Sequence, residues 1–230
     1  MTRDRRIRAV LWDLDGTLTD SVHLVVDTAN RVIAAHGGAA LDAEVVGRMT
    51  GAPLERIFRV AWPDLTSADA TAYRDEYRAI YEREAIPATR LHRGARVTLR
   101  AIHAAGLLQA TVTGKRAADC ERILRGLRIR NEIDAYLGGD SVARPKPAPD
   151  LALAAAARLG VPPAECVVVG DAPADVEMAH AASTRVIQVS WGYARARLEG
   201  ADAFVRSWPE LRRELLTRAG RRSARPPRRS

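Results

Sequence analysis

Lysine is nearly missing from this chain. Of 36 basic residues only Lys115 and Lys146 are lysines, and the rest are arginines. Cysteine is scarce too. Cys120 and Cys166 show no metal-ligand spacing and are too few for a disulfide framework. Both lie in apolar-periodic stretches, so they read as reduced core residues of a cytoplasmic protein. Aromatic residues make up 5% of the chain, and they do not interleave with basic ones as nucleic-acid binders require. No apolar run approaches the roughly 20 residues of a membrane span. The charged N-terminus precedes a short apolar run broken by Asp13, so no signal peptide is expected. No internal repeat appears, and nothing in the sequence fixes an oligomeric state.

What is present is ordinary for a folded domain. The 230 residues are 47% hydrophobic and 28% charged, enough for one large domain or a core plus a smaller one. The net charge of +8 is unevenly placed. Arg218, Arg221, Arg222, Arg225, Arg228 and Arg229 supply most of it, with no acid among them. Pro226 and Pro227 and the lack of apolar period make residues 218–230 an Arg-rich, disordered tail by expectation. The body is near neutral, which argues against nucleic acid as the main partner and leaves a weak contact by the tail.

Four stretches carry chemistry. Ile7 to Trp12 reads as a buried strand. It runs into Asp13-Leu14-Asp15-Gly16-Thr17-Leu18-Thr19-Asp20, two carboxylates followed by a glycine that permits a sharp turn. Acids at a strand end suit a hard cation held through oxygen or a carboxylate nucleophile; a solvated turn is the plain alternative. Leu108 to Val112 reads as a second strand, ending in Thr113-Gly114-Lys115. Free N–H groups there suit an anion, although a helix cap looks the same. Arg144-Pro145-Lys146-Pro147-Ala148-Pro149-Asp150 holds a lysine in a loop stiffened by three prolines. The choice of Lys in an arginine-rich chain suggests a need for a compact ammonium. Cys166 to Val169 reads as a central parallel strand, ending in Gly170-Asp171-Ala172-Pro173-Ala174-Asp175. Arg185 to Val189 and Ala203 to Val205 complete the strands.

Taken in order, these stretches resemble the four motifs of the haloacid dehalogenase superfamily in its phosphatase form. The resemblance implies an α/β fold: a Rossmann-like three-layer core with a mainly parallel sheet, plus a small all-helical cap domain. It implies a core of residues 1–20 and 93–217 and a cap of 21–92, where apolar spacing is helical throughout. It further implies Mg²⁺ as cofactor and a small phosphorylated substrate. Asp13 would be the nucleophile and Asp15 the acid/base. Thr113 and Gly114 would bind the phosphoryl group, and Lys146 would neutralise charge. Asp13, Asp15 (through its carbonyl) and Asp171 would be metal ligands. Asp175 would be a further ligand, an outer partner or simply a first-turn acid. Many relatives carry Asn where Gly114 stands, so a side-chain amide near the substrate is lost. Ser190-Trp191-Gly192-Tyr193 resembles phosphoglycolate phosphatases, making 2-phosphoglycolate the expected substrate.

Rival functions make different demands. A dehalogenase would lack Asp15. Phosphonate hydrolysis needs a cap lysine, and residues 21–92 have none. A β-phosphoglucomutase-like phosphosugar mutase shares the core residues and stays open. A nucleic-acid-binding module would depend on the tail: its binding would fall steeply with salt, survive loss of Asp13 and vanish when residues 218–230 are deleted, as a filter-binding titration would read.

Overall fold

The computed structural model describes residues 6–49 and 53–219. The chain opens with β1 (Ala9–Trp12) and a two-residue β2 (Thr19–Asp20). Four helices follow: α1 (Val22–Ala35), α2 (Ala43–Met49), α3 (Glu55–Ala61) and α4 (Ser67–Ile80). A widened turn, Tyr81–Ala85, leads to a single helical turn α5 (Ile86–Ala88) and to β3 (Arg90–Leu91). Alternation then sets in: α6 (Ala95–Ala104), β4 (Leu108–Val112), α7 (Ala117–Gly126), β5 (Ala135–Leu137), α8 (Asp150–Leu159), β6 (Cys166–Gly170), α9 (Pro173–Ala181), β7 (Arg185–Val189), β8 (Ala203–Val205) and α10 (Trp208–Arg218).

Six strands form one sheet in the order β5-β4-β1-β6-β7-β8, and every pairing is parallel. Side chains on a strand alternate between faces, and the core divides accordingly. Val10, Trp12, Val167 and Val169 pack with Leu99 and Ile102 of α6, Ile123 of α7 and Leu211 and Leu215 of α10. Ala9, Leu11, Val168 and Val186 pack with Leu151 and Ala155 of α8 and Met178 of α9. The result is helix, sheet, helix: three layers. Inside the first face the buried Gln109 amide is fully used. Its oxygen accepts from Trp12 Nε1 at 3.0 Å, and its nitrogen donates to the carbonyls of Leu99 and Glu132.

The helices between β2 and β3 have their own core. Val25, Ala29, Val32 and Ile33 of α1 meet Ile57 and Phe58 of α3, with Tyr77 and Tyr81 closing it. The block is rooted by a short antiparallel pair, Thr19 with Leu91 and Asp20 with Arg90. The sequence pattern foretells no strand within 21–92, and β3 lies there; two residues are too few to show a period. The expected first strand, Ile7 to Trp12, begins at Ala9. Ile7 instead donates its N–H to the carbonyl of Arg218 at 3.0 Å. Arg218 itself ends α10, its Nε donating to Glu214 Oε1 at 2.6 Å, so the first arginine of the expected tail is helical. Residues 220–230, the rest of that tail, lie outside the described residues. Both cysteines are buried and free. No described helix is long and apolar enough to cross a membrane.

Leu215 is fully buried in the same cluster as Trp208, whose ring lies 4.8 Å from Trp191 and 6.5 Å from Trp12. Leu215→Ala removes packing without a polar cost, so it should lower stability by about 2–5 kcal/mol. Urea unfolding followed by tryptophan emission would read this as a lower midpoint.

Candidate active site

β1 has β4 on one side and β6 on the other, and the chain visits them in opposite directions from it. Such a switch point leaves a crevice at the carboxyl ends of the strands. Trp12 is in register with Thr111 and Val169, so Asp13, Thr113 and Asp171 emerge together along that edge.

The centre of the site is dry. Asp13 is 3% exposed, Asp175 1%, and Asp171 and Lys146 0%. Lys146 Nζ donates to Asp13 Oδ1 at 2.8 Å and to Asp175 Oδ1 at 2.5 Å. Asp175 Oδ2 in turn accepts the backbone N–H groups of Asp171 and Ala172, both at 3.1 Å. Asp175 therefore closes the loop before α9 and aims Lys146 with the same carboxylate. Asp171 is gripped from the other side: Thr17 Oγ1 donates to its Oδ1 and the Tyr193 N–H to its Oδ2, both at 2.7 Å. Trp191 Nε1 donates to the Thr17 carbonyl at 3.0 Å. The Ser190–Tyr193 stretch thus buttresses Asp171 and does not line the substrate cleft.

Three carboxylates against one ammonium leave a surplus of negative charge. Burial pushes the Asp13 carboxyl up, to about 7; Lys146 opposes the shift, while Asp175 and Asp15 add to it. Burial, then Asp13 and Asp175, raise Asp171 well above the usual carboxylate range. Burial would lower the Lys146 ammonium, but Asp13 and Asp175 outweigh it and hold it above its ordinary value. One oxygen each from Asp13, Asp171 and Asp175 lie within 4.8 Å of one another. An all-oxygen donor set with excess negative charge suits a hard divalent cation.

Asp15 stands apart from this group. Ser21 Oγ donates to its Oδ1 at 2.5 Å, and Lys115 Nζ lies 2.9 Å from its Oδ2. Thr113 is buried, its hydroxyl accepting the Lys115 N–H at 3.3 Å. It does not cap α7, which begins at Ala117, whose own N–H donates to Asp140 Oδ1 at 2.8 Å. Asp13, Asp15, Thr113 and Gly114 all line one cleft of about 250 Å³, with Lys115 and Arg116 and, from the cap, Arg74, Tyr77, Arg78, Tyr81 and Glu82. The sequence assigns no role to Lys115, Ser21 or Thr17. Lysine scarcity marks Lys115 as well as Lys146, and both lysines prove to touch the acids.

Fold and site define the class: a doubly wound α/β enzyme with an acidic centre at its strand ends. A family model described as haloacid dehalogenase-like hydrolase matches residues 10–189. A phosphoglycolate phosphatase of Xylella fastidiosa is 35% identical over 186 residues, 81% of each chain. An N-acetylmuramic acid 6-phosphate phosphatase of Pseudomonas aeruginosa is 30% identical over 205 residues, 87% of this chain and 91% of that one. The crystal structure of a hydrolase from Pseudomonas syringae superposes with a TM-score of 0.79 at 25% identity, over 90% of this chain and 97% of that one. The chain belongs to the haloacid dehalogenase-like hydrolase family, in its phosphoglycolate phosphatase-like branch, and is a phosphatase.

Gly16 has φ +77, and a Cβ there would stand 2.5 Å from Asp171 Oδ2. Gly16→Ala should therefore displace Asp171 and cut turnover of a phosphate monoester on the order of 100-fold. The left-handed backbone adds only about 1–2 kcal/mol of instability. Phosphate release and a thermal melt, measured on one preparation, separate the two effects.

Proposed function

We propose that the chain hydrolyses a small phosphate monoester, 2-phosphoglycolate foremost, with Mg²⁺ as cofactor and Asp13 as nucleophile. The observation that carries the reading is Asp13 itself, a buried carboxylate held by Lys146 and opening onto the cleft that Asp15 and Thr113 share. Lys146 occupies Asp13 Oδ1, so attack on phosphorus falls to Oδ2. The new bond is Asp13 O–P, and the bond broken is P–O to the substrate alcohol. Asp15 passes a proton to the departing alkoxide, its carboxyl turning from Lys115 toward the cleft. It then takes a proton from water, whose oxygen attacks phosphorus and releases inorganic phosphate and free Asp13. The Thr113 hydroxyl and the Gly114 N–H hold the phosphoryl oxygens, and Lys146 offsets charge on Asp13 throughout. Asp13, the Asp15 carbonyl and Asp171 would hold Mg²⁺. Asp175, its oxygens committed to Lys146 and the backbone, acts behind them. The bound ion would supply positive charge that lets one anion approach another. The helical cap, residues 21–92, would cover the cleft and limit bulk water. The small cleft favours a metabolite of few carbons over a nucleotide.

Asp13→Asn keeps shape and removes the nucleophile, so inorganic phosphate release should fall to background. Turnover within tenfold of wild type would refute the assignment. Cation binding supplies a second check. Protons compete for Asp13 below its raised value of about 7, so the ion must displace them there. The Tm gain on adding Mg²⁺ to chelator-treated protein should be larger at pH 8 than at pH 5. An equal gain at both would contradict a carboxylate site of this kind.

A further inference from the structure

The cap presents one stripe to the core. Arg74, Tyr77, Arg78 and Tyr81 recur at the spacing that shares a helix face, along α4 and into the widened turn, and all four line the cleft. Tyr77 and Tyr81 stack with ring centroids 5.5 Å apart. The cations lining this cleft, among the described residues, are Arg74, Arg78, Lys115 and Arg116.

Three of them are committed to acids. Lys115 lies 2.9 Å from Asp15 and over the Tyr81 ring. Arg116 bonds Glu82 and, at 3.0 Å, Asp119. Arg74 bonds Glu55 and Asp75, both at 3.1 Å. Arg78 differs: its described ion pair is a 3.7 Å approach to Asp75, a side chain 59% exposed and already taken by Arg74. Partial burial, then the charges of Arg74 and Arg116, hold the Arg78 guanidinium below its ordinary pKa. Of the four cations Arg78 is the one with the loosest acid partner, so an oxyanion brought into the cleft can take it up.

We infer that Arg78 reads a second anionic group on the substrate, at the end away from the ester phosphate. The substrate class is then a short phosphate monoester bearing a further oxyanion, a carboxylate or a second phosphate. This rests on the phosphatase reading above. A guanidinium grips either oxyanion through two parallel N–H bonds. A cleft of about 250 Å³ lies just under the usual range of small-molecule sites, roughly 300–1,000 Å³, so a short molecule reaches both ends. Arg78 lines the cleft with 39% of its side chain exposed, so it can meet substrate as it enters.

The test compares kcat/KM for 2-phosphoglycolate, a short diol bisphosphate and ethyl phosphate, whose tail is neutral. Wild type should favour the first two. In Arg78→Gln their advantage over ethyl phosphate should shrink about 10- to 100-fold, the range a charge-assisted hydrogen bond supplies, mostly through KM. Arg78→Lys should keep part of it. The ratio is insensitive to how much enzyme is folded, so a merely structural role would leave it unmoved. Whichever of the two anionic substrates loses more identifies carboxylate or phosphate. Equal losses on all three esters, or no wild-type preference, overturn the role of Arg78 and leave the phosphatase standing. Failure of wild type to hydrolyse any of the three overturns the proposed substrate along with the role of Arg78.

Discussion

A fully buried ammonium, Lys146, bonded to two carboxylates from different parts of the chain, is the interaction on which the site's geometry depends. Its loss would leave Asp13 and Asp175 uncompensated in a region closed to water. Breaking a buried pair by removing one partner typically costs about 3–5 kcal/mol. The ammonium does not complete the balance, because Asp171 stands beside Asp13 with no cation of its own among the described residues. The fold compensates with dipoles: the N–H groups of Asp171 and Ala172 on Asp175, the Tyr193 N–H and Thr17 hydroxyl on Asp171. Each carboxylate is thereby fixed in direction while the surplus charge remains. A site so arranged is held ready for a cation and for a phosphoryl group, at the expense of its own electrostatic comfort.

The topology explains why these groups can meet. Parallel strands end at one edge of the sheet, and β1 lies between the two halves of the winding. The loops after β1, β4 and β6 therefore converge, although Asp13, Thr113 and Asp171 lie far apart in the sequence. The cap leaves and rejoins the core beside the same loop. Thr19 and Asp20 pair with Leu91 and Arg90, and Ser21, just before α1, donates to Asp15. The carboxylate assigned to proton transfer is thus tied to the root of the cap, and any swing of the helices bears on it directly.

Much of this is legible from the chain alone. Buried parallel strands announce themselves as continuous apolar runs, and β4, β7 and β8 fall where the pattern puts them. Asp13, Asp15, Thr113, Lys146 and Asp171 stand out because acids, a hydroxyl and a rare lysine close strands or sit in stiff loops. Other features leave no such trace. β3 has two residues, too short for any periodicity. Thr17 is one more small polar residue in a turn until Asp171 is seen against it. The tyrosines and arginines of α4 carry no signal of their own, because a single sequence does not say which side of a helix meets another domain. Trp191, Gly192 and Tyr193 look like a substrate signature. In the fold they are a brace: a Cβ at Gly192 would run into the Asp171 carboxylate, Tyr193 donates its N–H to that carboxylate, and Trp191 holds the carbonyl of Thr17, which also bonds it.

The split between lysine and arginine follows from the same physics. The slot of Lys146 is walled on every side, and a guanidinium is a wider, planar fork that shares its charge over three nitrogens. A compact ammonium can approach Asp13 and Asp175 together at 2.8 and 2.5 Å. Lys115 meets a similar demand, inserted between Asp15 and the face of Tyr81 with 10% of its side chain exposed. Elsewhere along the cleft the demand reverses. There Arg74, Arg78 and Arg116 reach from half-exposed positions, and their flat forks suit paired contacts with carboxylates. The chain uses arginine wherever a cation can lean on solvent, and it keeps its two lysines for the places where only a point charge fits.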